Sequence, residues 1–343
     1  MLLIGGYTEP DGKARGISAY DFSPSQGGIH FLGFTPAVNP SYLLTDQKRS
    51  IVYSVREKGA DAGAAVVAHG VQRGKGRRAT FTPLGETALP GCDPCHLAFA
   101  DDTLLVSSYT SGHLHVVRRQ PDGRPGELLQ TINLKTRNEN RDPHAHCATY
   151  VARRNQVLVC DLGDDRLKFY DRGADGTLTP REDLYLAFPD GEGPRHLAVA
   201  PDASFAVING EKCARVHLVD LTADRPYCVT HNNFLPERLL DQSWGAAIRL
   251  SANGKMIYVS ERTFSVVTTL RVDQQAGKLV MRDSYPSGGE GPRDIILSPA
   301  GDWLLTANEQ DHTVGVFRVA PKGGLTHYHT FKKVPSPTAL AWL

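Results

Sequence analysis

The sequence predicts an all-β fold: a closed seven-bladed β-propeller of four-stranded antiparallel blades, one domain over residues 1–343. Three observations carry this. A short apolar strand recurs seven times behind a proline or an equivalent turn, successive copies lie 45 to 54 residues apart, and turn residues divide the intervening chain into further short strands. A period of that size in a strand-rich chain denotes a radial array of small sheets.

The seven copies begin at Pro40-Ser-Tyr-Leu, Pro94-Cys-His-Leu-Ala-Phe, Pro143-His-Ala-His, Pro194-Arg-His-Leu-Ala-Val, Gly245-Ala-Ala-Ile-Arg-Leu, Pro292-Arg-Asp-Ile-Ile-Leu and Pro337-Thr-Ala-Leu-Ala-Trp. The sixth unit is the clearest. Asp294-Ile-Ile-Leu-Ser is a short apolar strand, and Pro299-Ala-Gly-Asp is turn chemistry. Trp303-Leu-Leu-Thr-Ala-Asn is the second strand. Thr313-Val-Gly-Val-Phe-Arg-Val alternates with period two, as a strand with one buried face should. Pro321-Lys-Gly-Gly turns the chain into the fourth strand, Leu325-Thr-His-Tyr-His-Thr-Phe. The fourth unit repeats the plan from His196 to Thr230.

The ends complete the count. The last copy, Pro337 to Leu343, has only an innermost strand, and Leu2 to Tyr7 reads as a second strand with no first strand before it. The C-terminal strand is therefore expected to complete the blade that the N-terminus begins, leaving no open edge at the seam.

Composition narrows the function classes. A formal net charge of +1 gives no reason to expect nucleic acid or an acidic membrane as partner. The basic stretch Arg73-Gly-Lys-Gly-Arg-Arg lacks interleaved aromatics and reads as a solvated loop. No apolar run approaches the roughly 18 residues of a membrane span, and Met1-Leu-Leu-Ile reads as a strand rather than a signal peptide. Cysteines at 92, 95, 147, 160, 213 and 228 read as reduced thiols of a cytoplasmic protein. Cys92-Asp-Pro-Cys95 has no matching second pair, so no metal and no cofactor are expected. No phosphate-binding glycine loop and no Gly-x-Ser-x-Gly elbow occurs. No obligate protein partner is inferred.

Connectivity places the polar residues. In an antiparallel blade the loop into the innermost strand and the loop after the second strand fall on the same end, so both families meet at one mouth of the channel. The first family carries His96, His144, His146, Arg195, His196 and Arg293. The second carries Tyr109, Asp161, Asp165, Glu211, Arg262 and Glu309. Arginines facing one space suit an anionic substrate, because the guanidinium fork matches carboxylate or phosphate oxygens. A histidine and a glutamate beside them can move protons near neutral pH.

Each residue also has a structural reading. Arg195, Arg262 and Arg293 can pair with acids of neighbouring blades, and Glu211 can be one half of such a pair. His96 can be a packed histidine. Asp161 and Asp165 are of the type that caps turns.

The chain resembles the seven-bladed propeller lactonase family, which contains propeller-type 6-phosphogluconolactonases and fungal carboxy-cis,cis-muconate cyclases. The resemblance rests on Asn39-Pro-Ser-Tyr, Pro143-His-Ala-His, Asp161-Leu-Gly-Asp-Asp165, Gly193-Pro-Arg-His, Tyr258-Val-Ser-Glu-Arg262 and Gly291-Pro-Arg-Asp, in this order at blade spacing. It implies a metal-independent site at one mouth. His144 or His146, Arg195, Glu211 and Arg262 would then be catalytic; Arg293, His196, Asp161 and His96, brought to the same mouth by the loop connectivity, are expected to bind substrate. Gly210-Glu211, Glu261-Arg262 and Ser108-Tyr109 stand where the family usually has Asn-Glu, Asn-Arg and Asn-Tyr. The implied activity is hydrolysis of a small anionic sugar-acid lactone, with 6-phosphogluconolactone the leading candidate. A cycloisomerase acting on a carboxymuconate-like dicarboxylate and a non-catalytic binding scaffold are the alternatives.

Overall fold

A computed structural model of the chain describes residues 1–343 except 60, 61, 75, 77 and 138; Lys75 and Arg77 of the basic stretch thus lie outside the described residues. Its twenty-eight described strands, numbered β1–β28 in chain order, form seven four-stranded antiparallel sheets. The innermost strands are β4 (Leu43–Asp46), β8 (Pro94–Ala100), β12 (Ala145–Val151), β16 (Pro194–Val199), β20 (Gly245–Leu250), β24 (Pro292–Leu297) and β28 (Pro337–Trp342). Each packs against the next around the ring, and β28 against β4 closes it.

The seam is the one expected. β28 pairs with β1 (Leu2–Gly6), Leu2 opposite Trp342 and Ile4 opposite Leu340. The N-terminal ammonium donates to Leu343 O at 2.7 Å, and Leu343 N–H donates to Met1 O at 2.9 Å. Gly5 sits where a Cβ would lie 2.1 Å from Pro40 O, so the seam admits no side chain there.

Apolar residues gather in seven clusters, one at each junction between neighbouring blades. Each blade is thus covered on both faces near the hub, and the pattern follows. Second strands such as β9 (Thr103–Ser108), β13 (Gln156–Asp161), β17 (Phe205–Gly210), β21 (Met256–Glu261) and β25 (Trp303–Asn308) are buried throughout and read as apolar runs. The outer strand β7 (Arg78–Ala88) is mostly exposed. Arg73, at the edge of the basic stretch, pairs with Asp21 on the solvent side.

The proline signposts have a backbone cause. Asn39, Asp93, Gly193, Gly291 and Ser336, each directly before one of these prolines, have φ of +40°, +58°, +60°, +69° and +40°. Glycine, asparagine and aspartate enter that left-handed region most readily. Within six of the seven innermost strands, all but β4, the ladder then skips one residue. Pro94 opposes Ser108 but His96 opposes Ser107, leaving Cys95 out; His146, Arg195, Arg293 and Thr338 are left out in the same way. A bulge of this kind re-aims the skipped side chain. Here Cys95, His146, Arg195, Arg293 and Thr338, with Ser41 of the first blade, line one cavity at the hub.

Candidate active site

A second tier lies above the bulges. In six blades the residue directly after the second strand donates its N–H to the residue two positions before the bulge. Glu57 bonds Asn39 O, Tyr109 Asp93 O, Leu162 His144 O, Glu211 Gly193 O, Arg262 Trp244 O and Glu309 Gly291 O, at 2.7 to 3.2 Å. Tyr7 holds the matching place in the closing blade, after β1. Both tiers face one mouth, as connectivity requires.

The blades that supply His146, Arg195, Glu211 and Arg262 are consecutive, so these four converge. Arg195 Nε lies 2.8 Å from Glu211 Oε2, and Arg262 Nη2 lies 3.0 Å from Glu211 Oε1. His146 Nε2 faces Oε2 at 3.7 Å. Trp244 Nε1–H donates to Oε1 of the same carboxylate, and the Arg262 guanidinium lies 4.7 Å from the Trp244 ring centroid. Arg195 is 3% exposed, and its Nη1 donates to Ala246 O at 2.7 Å. Arg262 Nη2 also donates to Gly245 O at 3.1 Å.

Charge at this focus is set by proximity. Burial by itself would raise the Glu211 carboxyl, but Arg195 foremost, then Arg262 and the Trp244 donor, hold it well below the usual carboxylate range. Burial and then Arg195 push Arg262 down to about 10, against the pull of Glu211. His146 is held well below the ordinary histidine value by burial first and Arg195 second, so its imidazole is neutral at physiological pH. Its Nδ1 is buried with no hydrogen-bond partner.

The structure separates the two histidines that the sequence left open. The turn into β12 is longer than its counterparts, so His146 takes the bulge position held by Arg195 in the next blade. His144 stays in the turn, stacked on Tyr109 at 4.4 Å, with Nδ1 3.0 Å from Tyr109 O. His196 also lines the hub cavity, with His96 packed beside it. His196 is 5.2 Å from the His146 ring and 5.5 Å from His96, centroid to centroid. His96 packs under Tyr42 and meets Cys147 Sγ at 3.4 Å. Asp161 is fully buried and satisfied by its own surroundings. It accepts from His144 N at 2.9 Å and Asp164 N at 3.2 Å, and pairs with Lys168 Nζ at 2.7 Å. Its carboxylate is thus committed to the turn, the capping reading rather than the substrate-binding one. Asp165 holds the neighbouring loop, accepting from Gly191 and Gly193 N–H groups.

Arg293 reaches the hub from the opposite side. Its Nη2 donates to Tyr7 Oη at 2.8 Å and its Nη1 to Glu309 Oε2 at 3.4 Å. The arginines therefore do not form one cluster: Arg195 and Arg262 share Glu211, while Arg293 belongs to a separate set with Tyr7, Glu57 and Glu309. Sequence reasoning passed over Trp244, Glu57, Tyr7 and Ser41. Each has a counterpart in the fourth blade: Glu57 and Tyr7 follow second strands as Glu211 does, Ser41 holds the place of Arg195, and Trp244 that of Gly193.

Two spaces adjoin the site. The hub cavity, lined by Ser41, Glu57, His146, Arg195 and Arg293, has a volume of about 20 Å³, room for about one water. Beside it an open bowl of about 540 Å³ is lined by Tyr7, Glu9, Asp11, Glu57, Asp93 and Glu309, the size range of small-molecule sites. One side of the mouth is thus basic and the other acidic. Trp244, 55% exposed, stands on the basic side. Other grooves, such as the one of about 400 Å³ lined by Ile4, Phe31 and Phe331, lie away from these groups. Among the described residues no cluster of histidine, cysteine or carboxylate side chains has metal-binding geometry, and no helix is long and apolar enough to cross a membrane.

Comparison with known proteins agrees with this architecture. A family model described as "Lactonase, 7-bladed beta-propeller" matches residues 1–342. The 6-phosphogluconolactonase of Bacillus subtilis is 28% identical, over 99% of this chain and 97% of its own. That of Cronobacter sakazakii is 27% identical, over 91% and 90% respectively. A solved structure from Bacteroides fragilis, 26% identical, superposes with a TM-score of 0.89 over 100% of this chain and 97% of its own. The Pseudomonas aeruginosa periplasmic gluconolactonase PpgL, 23% identical, shares the fold with a TM-score of 0.90, over 99% and 98%. With the family model matched along the chain and two such relatives aligned nearly end to end, the protein belongs to the seven-bladed β-propeller lactonases.

Proposed function

We propose that this lactonase hydrolyses an anionic sugar-acid lactone, with 6-phosphogluconolactone the preferred substrate and 6-phosphogluconate the product. The observation that carries the reading is the convergence of Arg195, Arg262, Trp244 and His146 on the single carboxylate of Glu211. In this reading His146 is the general base. With its proton on Nε2, toward Glu211, the unpartnered Nδ1 accepts a proton from water beside the hub cavity. Glu211 is too strongly held in its ionised form to be an effective base; it orients the imidazole and stabilises the imidazolium that forms. Arg195 and Arg262 face the charge that develops on the lactone carbonyl oxygen and the substrate's anionic group. The acidic bowl suits the hydroxyl-rich part of a polyol, since carboxylates accept hydrogen bonds from hydroxyls.

The two relatives named 6-phosphogluconolactonase support the choice of substrate. The six free cysteines support a reducing, cytoplasmic setting. The deciding experiment is a stopped-flow, pH-indicator screen of phosphorylated and plain aldonolactones against the uncatalysed rate. Faster opening of the phosphorylated lactone is expected, and no acceleration of any aldonolactone would refute the reading. Formation of a lactone from an open diacid would identify a cycloisomerase instead.

A further inference from the structure

Glu57 occupies in the first blade the place that Glu211 occupies in the fourth. Both directly follow a second strand, and their backbone N–H groups make equivalent bonds, Glu57 to Asn39 O at 3.2 Å and Glu211 to Gly193 O at 2.7 Å. Asn39 also clamps the site from its side chain: its Nδ2 donates to Glu57 O at 3.1 Å, and its Oδ1 accepts from Thr8 N at 2.8 Å.

Their surroundings differ in kind. Glu211 is flanked by two guanidinium groups. Glu57 is flanked by two hydroxyls: Tyr7 Oη–H donates to Oε1 at 2.8 Å, and Ser41 Oγ–H meets Oε2. The nearest cation, Arg293, is already engaged by Tyr7 and Glu309. Burial raises the Glu57 carboxyl above its ordinary value, Arg293 and the two hydroxyls only partly oppose this, and the negative charge of Asp93 adds to the rise. One mouth therefore holds a carboxylate kept ionised and a carboxyl kept toward its protonated form, which is the division that assigns base-side and acid-side roles. Glu57 also lines both the hub cavity, with room for about one water, and the open bowl of small-molecule size, so it stands between the two spaces.

We propose that Glu57 is a second catalytic carboxyl of this enzyme, the general acid that protonates the ring oxygen as the lactone opens. The inference rests on the hydrolytic reading above. Water adds its oxygen to the acyl carbon while one of its protons passes to His146 Nδ1. Collapse of the tetrahedral adduct breaks the bond between the acyl carbon and the ring oxygen, whose electron pair takes the proton from Glu57. The imidazolium then returns a proton to the Glu57 carboxylate through solvent. One lactone and one water give one hydroxy acid, with no other reactant. The acid matters because the departing group is an aliphatic alkoxide, which leaves poorly without a proton.

The test is the pH dependence of kcat on a phosphorylated aldonolactone, corrected for spontaneous opening. A general acid works while protonated, so kcat should fall as pH rises through the Glu57 pKa. The titratable and charged groups facing Glu57 are Tyr7, Arg293, Asp93 and Cys95, with Glu309 beyond Arg293. Glu57→Gln, which keeps the shape and loses the proton, should lower kcat by about 10²–10³-fold and abolish that high-pH limb. Ser41→Ala removes a donor that favours the ionised form, so it should move the limb upward; it also serves if Glu57→Gln fails to fold. Wild-type kcat in Glu57→Gln, or an unchanged limb in either variant, overturns the role of Glu57 alone. A wild-type enzyme inactive on every aldonolactone overturns the hydrolytic reading first, so the two failures are told apart.

Discussion

Replacing Glu211 with glutamine removes the one negative charge at the meeting point of Arg195 and Arg262 while keeping the side chain's shape. Glu211 is 8% exposed, and its carboxylate lies 2.8 and 3.0 Å from the two guanidinium groups. Removing one partner of a buried ion pair leaves the other charge uncompensated and costs about 3–5 kcal/mol. Unfolding entropy is about 2.1 cal/mol/K per residue, so for 343 residues each kcal/mol lowers Tm by about 1.4 °C. The variant should therefore melt about 4–7 °C below wild type at neutral pH, read by calorimetry or circular dichroism. The pH dependence has a definite sign. Because the folded-state pKa of Glu211 is depressed, its contribution is fully present above the unfolded value, about 4.3, and is lost as pH falls toward the folded value. The gap between wild type and variant should therefore narrow in acid. Inorganic phosphate should restabilise the variant more than wild type, since it can replace the missing negative charge between two arginines. A variant that melts within about 1 °C of wild type at pH 7, with the same response to phosphate, would refute the claim that this carboxylate balances the basic side of the mouth.

Other expectations follow from the same geometry. Arg195→Ala should cut kcat/KM on the lactone by about 10²–10³-fold, and unchanged turnover in a folded variant would remove Arg195 from the site. His146→Ala should lower kcat by about 10²–10⁴-fold, whereas His144→Ala should stay within about threefold, because its ring is committed to Tyr109; steady-state kinetics on both variants checks this. In wild type the low-pH limb of kcat assigned to His146 should lie well below pH 6.5, since burial and Arg195 keep that imidazole neutral. Cutting the chain after Ser336 removes β28, uncovers the edge of β1 and opens the two clusters that meet there. The product should aggregate or be cleaved rapidly by protease, and a monomer melting like the full chain would contradict the closure argument.

Glu57 and His146 show where sequence reasoning stopped. The motif Asn39-Pro40-Ser41-Tyr42 stands out in the sequence as a family signature, but its effect is to hold Glu57, eighteen positions on, through backbone and side-chain bonds. Nothing local marks Glu57 as special, because its partner Tyr7 is 50 residues away in the chain and Arg293 lies in another blade. Trp244 was missed for a similar reason: the fifth copy lacks its proline, so the residue before it drew no notice. Asp161 shows the converse. It stands in a signature motif and near the mouth, yet its carboxylate is consumed by two backbone N–H groups and Lys168.

What the sequence determined by itself was the number of blades, the closure of the ring and the end at which the polar loops gather. Those depend on local features: strand length, the left-handed residue before proline, and the spacing between copies. Which side chains face the hub, and which charges they meet there, is visible only in the folded chain. That follows from the bulge register on each innermost strand and from packing between blades, which bring together residues far apart in the chain. Strand alternation tells one face of a sheet from the other, but the two-residue offset after Pro143 puts the bulge at His146 and leaves His144 in the turn, and only the hydrogen-bond ladder records that shift.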